Sequence, residues 1–175
     1  LEEPTGGTIR IGERVVNGVP PAKRDVAMVF QSYALYPHMT VGKNIAYPLK
    51  KRGVSDPERS ERVLAAARLL ELESLLDRKP RQLSGGQQQQ LVYARAFTIK
   101  PKIILIDEPS LGLAPALVKQ TFEHIKQIAT SGIAALLVEQ NAFRGLQTAE
   151  YGIVMDLGRL VFEKPASEVL EDQRI

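Results

Sequence analysis

Two short segments carry residues whose types and spacing can do chemistry. Leu83-Ser84-Gly85-Gly86-Gln87 is a glycine-rich pentapeptide that opens a helical pattern. About twenty residues later, Ile103-Ile104-Leu105-Ile106-Asp107-Glu108 is an apolar run that ends in two carboxylates. A helix start presents unpaired N–H groups and partial positive charge, so it attracts phosphate. Glycines let a ligand approach the backbone, and the Ser84 hydroxyl adds a donor. At the carboxyl end of a strand in an α/β sheet, where ligands bind, Asp107 can hold Mg²⁺ directly or through water. Glu108 beside it can orient and deprotonate an attacking water. Each segment also has a plain structural reading: Ser84 as a helix cap with a glycine hinge, and Asp107-Glu108 as solvated acids in a turn before Pro109. Gln31, after an apolar run, offers an amide to a metal or a water. Tyr33, Tyr36, Pro37, His38 and Met39 form an amphipathic patch that suits packing as well as a partner. The phosphate-cradling pattern Gly-x-x-x-x-Gly-Lys-Ser/Thr does not occur in the 175 residues.

These groups need a scaffold, and the hydrophobic pattern supplies one. Val26 to Phe30 predicts a strand. Ile103 to Ile106 and Ala134 to Val138 are unbroken apolar runs, the pattern of parallel strands buried on both faces. Between them a helix is predicted over Pro115 to Ser131, with Val118, Phe122, Ile125 and Ile128 on one stripe and Gly132 as its stop. Strand, helix, strand in that order is a right-handed crossover. Ser55-Asp56-Pro57-Glu58 reads as a capped helix start with Glu58 placed for a capping box. Val63, Leu64, Ala67 and Leu70 then give that helix its apolar face. A further helix runs from Gly86 to Lys100 and is stopped by Pro101. Thr8 to Ile11 is β-prone. Ile153 to Met155 and Leu160 to Phe162, joined by Asp156-Leu157-Gly158, read as a hairpin, and the tail after Pro165 as a short polar helix at best.

Composition narrows the classes. Hydrophobic residues make up 44% and charged residues 25%, which suits a globular domain with a proper core. The net charge of +3 is small and dispersed, so no broad basic face points to nucleic acid. There is no Cys, which excludes disulfides and thiol chemistry. His38 and His124 have no companions at metal-ligand spacing. No apolar run approaches the roughly 18 residues that span a bilayer, and no signal peptide is visible.

In combination, Val29-Phe30-Gln31, Leu83 to Gln87 and Ile103 to Glu108-Pro109, in this order and at these separations, resemble the ATP-binding-cassette (ABC) ATPases of membrane transporters. The resemblance runs from Leu1 to about Lys164. It implies an α/β fold: a parallel-sheet P-loop NTPase-like core with a helical signature subdomain over about 41–100, N-terminally truncated, the whole of 1–175 being a partial ABC ATPase domain. It implies ATP and Mg²⁺ as cofactors. Gln31 becomes the Q-loop residue, near the metal and the nucleotide. Ser84, Gly85, Gly86 and Gln87 become the signature that touches the γ-phosphate held by a partner chain. Asp107 supports the metal, Glu108 is the catalytic base, and Gln140 takes the switch position. The implied partners are a second ABC ATPase subunit and transmembrane permease subunits, the latter met by the loop from Tyr33 to Val41; nucleic acid is not among them. The implied location is the cytoplasmic face of the cell membrane, held peripherally, and the phosphate loop is expected to precede Leu1.

Two positions depart from the commonest family pattern. Ala114 stands where the D-loop usually ends in Asp, and Gln140 stands where the switch is usually His. Gln can donate to a γ-phosphate but does not become cationic near neutral pH as His does. Both departures resemble the branched-chain amino-acid importers, as do Glu108 to Pro115 and Val138 to Ala142. Phe30 to Val41 instead resembles importers of sugars and glycerol phosphate. The expected function is the ATP-hydrolysing subunit of an importer for one of these solutes, inactive as this chain alone. One alternative is a non-catalytic cassette that lends its signature to an intact partner. Another is a DNA-maintenance ATPase of the same superfamily, although no heptad run interrupts the cassette.

Overall fold

The computed structural model describes residues 4–30 and 34–172. Its centre is a parallel sheet in the order β3 (Val26–Val29), β4 (Ile103–Asp107), β5 (Ala134–Val138). Val26 pairs with Ile103 and Ile103 with Ala134, so the three strands run in step and β4 is flanked on both sides. Helix α4 (Pro115–Thr130) makes the crossover from β4 to β5 and buries Val118, Phe122, Ile125 and Ile128, the predicted stripe. It ends where Gly132 adopts φ +90°, a left-handed conformation that glycine takes without a Cβ clash.

Three helices lie between β3 and β4 in the chain: α1 (Val41–Lys51), α2 (Asp56–Leu69) and α3 (Gly85–Phe97). Helix α3 is buried along most of its length and carries Leu91, Val92, Tyr93 and Ala94 into the main core with Val41, Ile45, Ala66, Ala67, Leu70, Ile104 and Ile106. It thereby packs against both the helical segment and the sheet. Two short hairpins complete the fold: β1 (Arg10–Ile11) with β2 (Arg14–Val15), and β6 (Tyr151–Asp156) with β7 (Arg159–Pro165). Helices α5 (Ala142–Thr148) and α6 (Ala166–Leu170) flank the second hairpin.

The structure corrects several expectations. β5 is not buried on both faces: Leu136 is 46% and Val138 57% exposed, whereas Ile104 and Ile106 on β4 are covered. Among the described residues β5 pairs with β4 alone, and a groove of about 780 Å³ runs between α4, β5, α5 and β6. The apolar run therefore belongs to an edge strand. On α2, Leu64 faces outward at 41% exposure and Ala66 takes its place in the core. Ser55 occupies the cap position of α2 but makes no side-chain cap bond. Arg59 pairs with Asp56 and Arg62 with Glu58, which draws Glu58 along the helix and away from a capping box. Helix α3 stops at Phe97, short of Lys100, and Lys100 turns the chain with φ +48°. The last helix is not wholly polar, since Ala166 and Val169 are buried. Helix α5 lies in a segment where no helix was predicted, while α1 falls within the helical subdomain expected over about 41–100.

Candidate functional site

The acid pair sits at the carboxyl end of the central strand. Asp107 closes β4 opposite Val138, and Glu108 follows with φ +46°. A left-handed conformation costs a non-glycine residue roughly 1–3 kcal/mol and persists where its surroundings over-determine it. Three bonds do so here. Glu108 N–H donates to the Val138 carbonyl at 2.8 Å. The next carbonyl, of Pro109, accepts from Gln89 Nε2 at 2.7 Å. Gln140 Nε2 donates to Glu108 Oε1 at 2.7 Å. The carboxylate is thus aimed along the rim of the sheet, partly open to solvent, with its second oxygen available to a ligand.

A second carboxylate braces the same rim. Glu139 accepts from Ser110 Oγ at 2.8 Å, from Ser110 N–H at 3.2 Å and from Asn141 N–H at 3.1 Å. The turns after β4 and β5 are therefore tied together beside Glu108. Asn141 also caps α5 through its Oδ1, which accepts from Arg144 N–H at 3.2 Å. Ala114, at the start of α4, supplies no side-chain cap, as its methyl group dictates.

The glycine-rich segment forms the mouth of α3. Ser84 is its cap: Ser84 Oγ accepts from Gln87 N–H at 3.3 Å, and Gln87 Oε1 accepts from Ser84 N–H at 3.0 Å. This is a capping box, so the plain structural reading holds at this position. It leaves the mouth open all the same. Ser84 and Gly85 are exposed, and among the described residues the N–H groups of Gly85 and Gly86 have no acceptor. Gly86 itself is buried, and a Cβ built on it would meet Leu117 Cδ2 at 2.6 Å. A side chain at this position would have to displace the end of Leu117 on α4.

A buried amide fastens the loop before α1 from within. Asn44, fully buried, accepts from Tyr36 N–H at 2.9 Å. Its Nδ2 faces the carbonyls of Tyr36, Met39 and Thr40 at 3.0–3.2 Å. Arg95 of α3 donates to the Ala34 carbonyl at 2.7 Å and lies over the Tyr36 ring at 5.6 Å. Burial lowers the Arg95 pKa from its ordinary value, and Tyr36 opposes the shift. Tyr36 in turn packs against Tyr47 and meets His38 edge-on. Pro37 and His38 are left exposed. Gln31 and Tyr33 lie outside the described residues.

The structure brings Asp107, Glu108 and Gln140 together. It sets Ser84, Gly85, Gly86 and Gln87 at a separate helix mouth, linked to the acid rim through Gln89. Sequence reasoning missed Gln89, Glu139 and Asn44. Gln89 stood in a run of four Gln whose helical phase was the available signal: Gln89 and Gln90 face inward, Gln87 and Gln88 are half-exposed.

Known proteins resemble this chain in sequence and fold. Residues 1–111 match the family model described as ABC transporter. The chain is 46% identical to the sn-glycerol-3-phosphate import ATP-binding protein UgpC of Brucella abortus (strain 2308), over 95% of this chain and 50% of that protein. It is 47% identical to the UgpC protein of Rhodopseudomonas palustris (strain HaA2), over 90% of this chain and 44% of that protein. It therefore spans about half the length of the curated relatives it matches. Among solved structures, the ATP-binding cassette MJ0796, in a dimeric post-hydrolysis state bound to ADP and Pi, superposes with a TM-score of 0.78 at 28% identity. That match covers 94% of this chain and 75% of the other. The structure of cbiO1 from Clostridium perfringens, part of the ABC transporter complex cbiONQ, superposes at 0.79 with 22% identity over 86% and 61%, a likeness of fold. With a parallel sheet that presents its acids at the carboxyl rim and a family match over well above half its length, this chain belongs to the ABC transporter family.

Proposed function

We propose that this chain is part of the ATP-hydrolysing subunit of an ABC importer, acting as one half of a two-subunit nucleotide clamp. The observation that carries the reading is Glu108. It is a carboxylate held in a left-handed turn at the end of the central strand, with Gln140 on one oxygen at 2.7 Å. Such a group is placed to take a proton from a water as that water attacks a phosphoryl group. Gln140 orients the carboxylate and can pass its donor to a γ-phosphate. Ser84, with the free N–H groups of Gly85 and Gly86, offers a phosphate-binding mouth to a nucleotide held by a partner chain, with Gln87 keeping Ser84 in place. Residues 41–100 serve as the helical subdomain that carries this mouth.

Asp107 and Glu108 fit Mg²⁺, a hard cation that accepts one or two carboxylates and completes its shell with water and substrate phosphates. Asp107 would hold it, and Gln31 would lie near it. The ion, when bound, neutralises charge on the phosphates. Among the described residues no group of three or more His, Cys, Asp or Glu side chains converges on one point.

The pattern Gly-x-x-x-x-Gly-Lys-Ser/Thr does not occur in this sequence, so on this reading a phosphate cradle has to be supplied to it. The 175-residue chain alone is therefore inactive. The loop from Tyr33 to Val41, in which Pro37 and His38 are exposed, meets a transmembrane permease subunit. Among the described residues no helix is long and apolar enough to cross a membrane. On this reading the subunit is held peripherally, through the permease, at the cytoplasmic face. The solute is glycerol phosphate or a sugar, the side favoured by the UgpC relatives; branched-chain amino acids rest on residues 108–115 and 138–142 alone. A filter-binding assay with radiolabelled ATP tests the reading. It compares the chain as given with the chain joined to a family phosphate-loop segment. The joined form binds and hydrolyses ATP and loses turnover with Glu108→Gln. Glu108-dependent hydrolysis by the short chain would refute the reading.

A second reading has one observation in its favour: Ala114 leaves α4 without a side-chain cap where the family usually has Asp. On that reading the chain is a non-catalytic cassette that lends Ser84 to Gly86 to an intact partner. A mixed dimer in which Glu108→Gln in this chain costs nothing would support it.

A further inference from the structure

We propose that Gln89 is a positioning residue that locks the acid-bearing turn after β4 to the glycine-lined mouth of α3, so that the two move as one body. The functional consequence rests on the nucleotide reading above; the clamp itself does not. Gln89 lies one turn into α3 from Gly86 and is 6% exposed. Its Nε2 donates to the Pro109 carbonyl at 2.7 Å, and its Oε1 accepts from Thr121 Oγ1 of α4 at 2.9 Å. Thr121 is 4% exposed. The amide is therefore fixed in one orientation, since turning it over would set its oxygen against the Pro109 carbonyl.

The placement matters because of what surrounds it. Glu108 is in a strained left-handed conformation. Its peptide is held on one side by the Val138 carbonyl, and Gln89 holds the other side at the very next carbonyl. Pro109 has no N–H of its own to anchor the turn. In a clamp whose two nucleotides each touch one chain's acids and the other chain's signature, Gln89 is a direct hydrogen-bonded link within a chain between the two sites.

Amide hydrogen exchange on the full 175-residue chain tests the clamp without ATP. Gln89→Met keeps the length and apolar stem but has no amide. It is expected to lower the protection factors of Glu108, Ser110 and Leu111 at least tenfold while those of α2 stay within twofold. Thr121→Val removes one side of the tie and is expected to give a smaller loss at the same amides. Gln89→Glu cannot donate to Pro109 as a carboxylate but can as an acid. Its protection at these amides is expected to be low at pH 7 and to recover as the pH is lowered toward 4.5, which a simple packing role does not produce. In the chain joined to a phosphate-loop segment, Gln89→Met is expected to lower kcat at least fivefold with KM for ATP within twofold. Unchanged protection at Glu108, Ser110 and Leu111 in Gln89→Met, or no recovery for Gln89→Glu, would overturn the clamp. If wild-type joined chain turns over no ATP, the nucleotide reading fails, and the exchange result still decides the clamp.

Discussion

Replacing Asn44 with Asp should unfasten the loop before α1 more severely than replacing it with Ala. Asn44 Nδ2 has two hydrogens and faces three carbonyls, while Oδ1 accepts from Tyr36 N–H. Neutral buried hydrogen bonds are each worth about 1 kcal/mol net, and an unpaired buried partner costs more. Asn44→Ala removes one accepted and two donated bonds, so the loss is about 3 kcal/mol. Asn44→Asp keeps the acceptor toward Tyr36 but sets a buried charge against three carbonyl oxygens. A buried charge without its partner costs about 3–5 kcal/mol, a large share of the roughly 5–15 kcal/mol that holds a domain folded. The introduced carboxyl binds its proton more tightly in the folded state than in the unfolded chain. Its deficit is therefore full near pH 7 and shrinks as the pH falls, by at most about 1.4 kcal/mol per pH unit. Urea unfolding of wild type, Asn44→Ala and Asn44→Asp at pH 7 and pH 5 measures this. An Asp variant within about 0.5 kcal/mol of wild type at pH 7, or one with a deficit that ignores pH, would refute the assignment of Asn44 as the loop's internal fastener.

Other perturbations have defined outcomes. Gly86→Ala places a methyl 2.6 Å from Leu117 Cδ2. Overpacking of about 1–3 kcal/mol is offset by a helix gain of about 1 kcal/mol, so thermal unfolding should show a net loss of up to about 2 kcal/mol that Leu117→Ala relieves. His124 is buried and its pKa is lowered by desolvation, against the opposing charges of Glu71 and Glu123. The unfolded chain then binds the proton more readily, so stability is full above about pH 6.5 and falls as the pH drops below it; His124→Gln should flatten that slope in urea titrations across pH. Ser110→Ala removes the Oγ bond to Glu139, and loss of about 0.5–1.5 kcal/mol should appear in chemical denaturation. In the joined chain, Gln140→Leu should lower kcat and leave ATP binding nearly intact, because the Gln140 amide steadies Glu108 rather than the adenosine.

The sequence was most legible where a pattern had one structural solution. The apolar runs at 103–106 and 134–138 with a 3.6-period stripe between them predict a parallel crossover, and β4, α4 and β5 follow it. Legibility failed where neighbours decide. The run at 134–138 looks like a doubly covered strand, yet β5 is an edge because coverage depends on what packs beside it. Glu58 looks like half of a capping box, yet Arg62 claims it, and Leu64 and Ala66 exchange roles through a small rotation of α2. The acids and the glycine mouth were legible as candidates because their chemistry is local. Their fasteners were not: Gln89 and Glu139 act across 20 and 29 residues of chain, and helical phase can turn Gln89 inward without showing which distant group it meets.

The most direct test of the clamp uses mixed dimers of the joined chain. One dimer carries Glu108→Gln in one protomer and Ser84→Arg in the other; a second carries both changes in one protomer against wild type. If the acid rim of one chain works with the helix mouth of its partner, the first dimer has both lesions in one site and keeps about half the ATPase activity of wild type. The second has a lesion in each site and loses nearly all of it. The opposite ranking, or equal activities, would contradict a site shared between two chains.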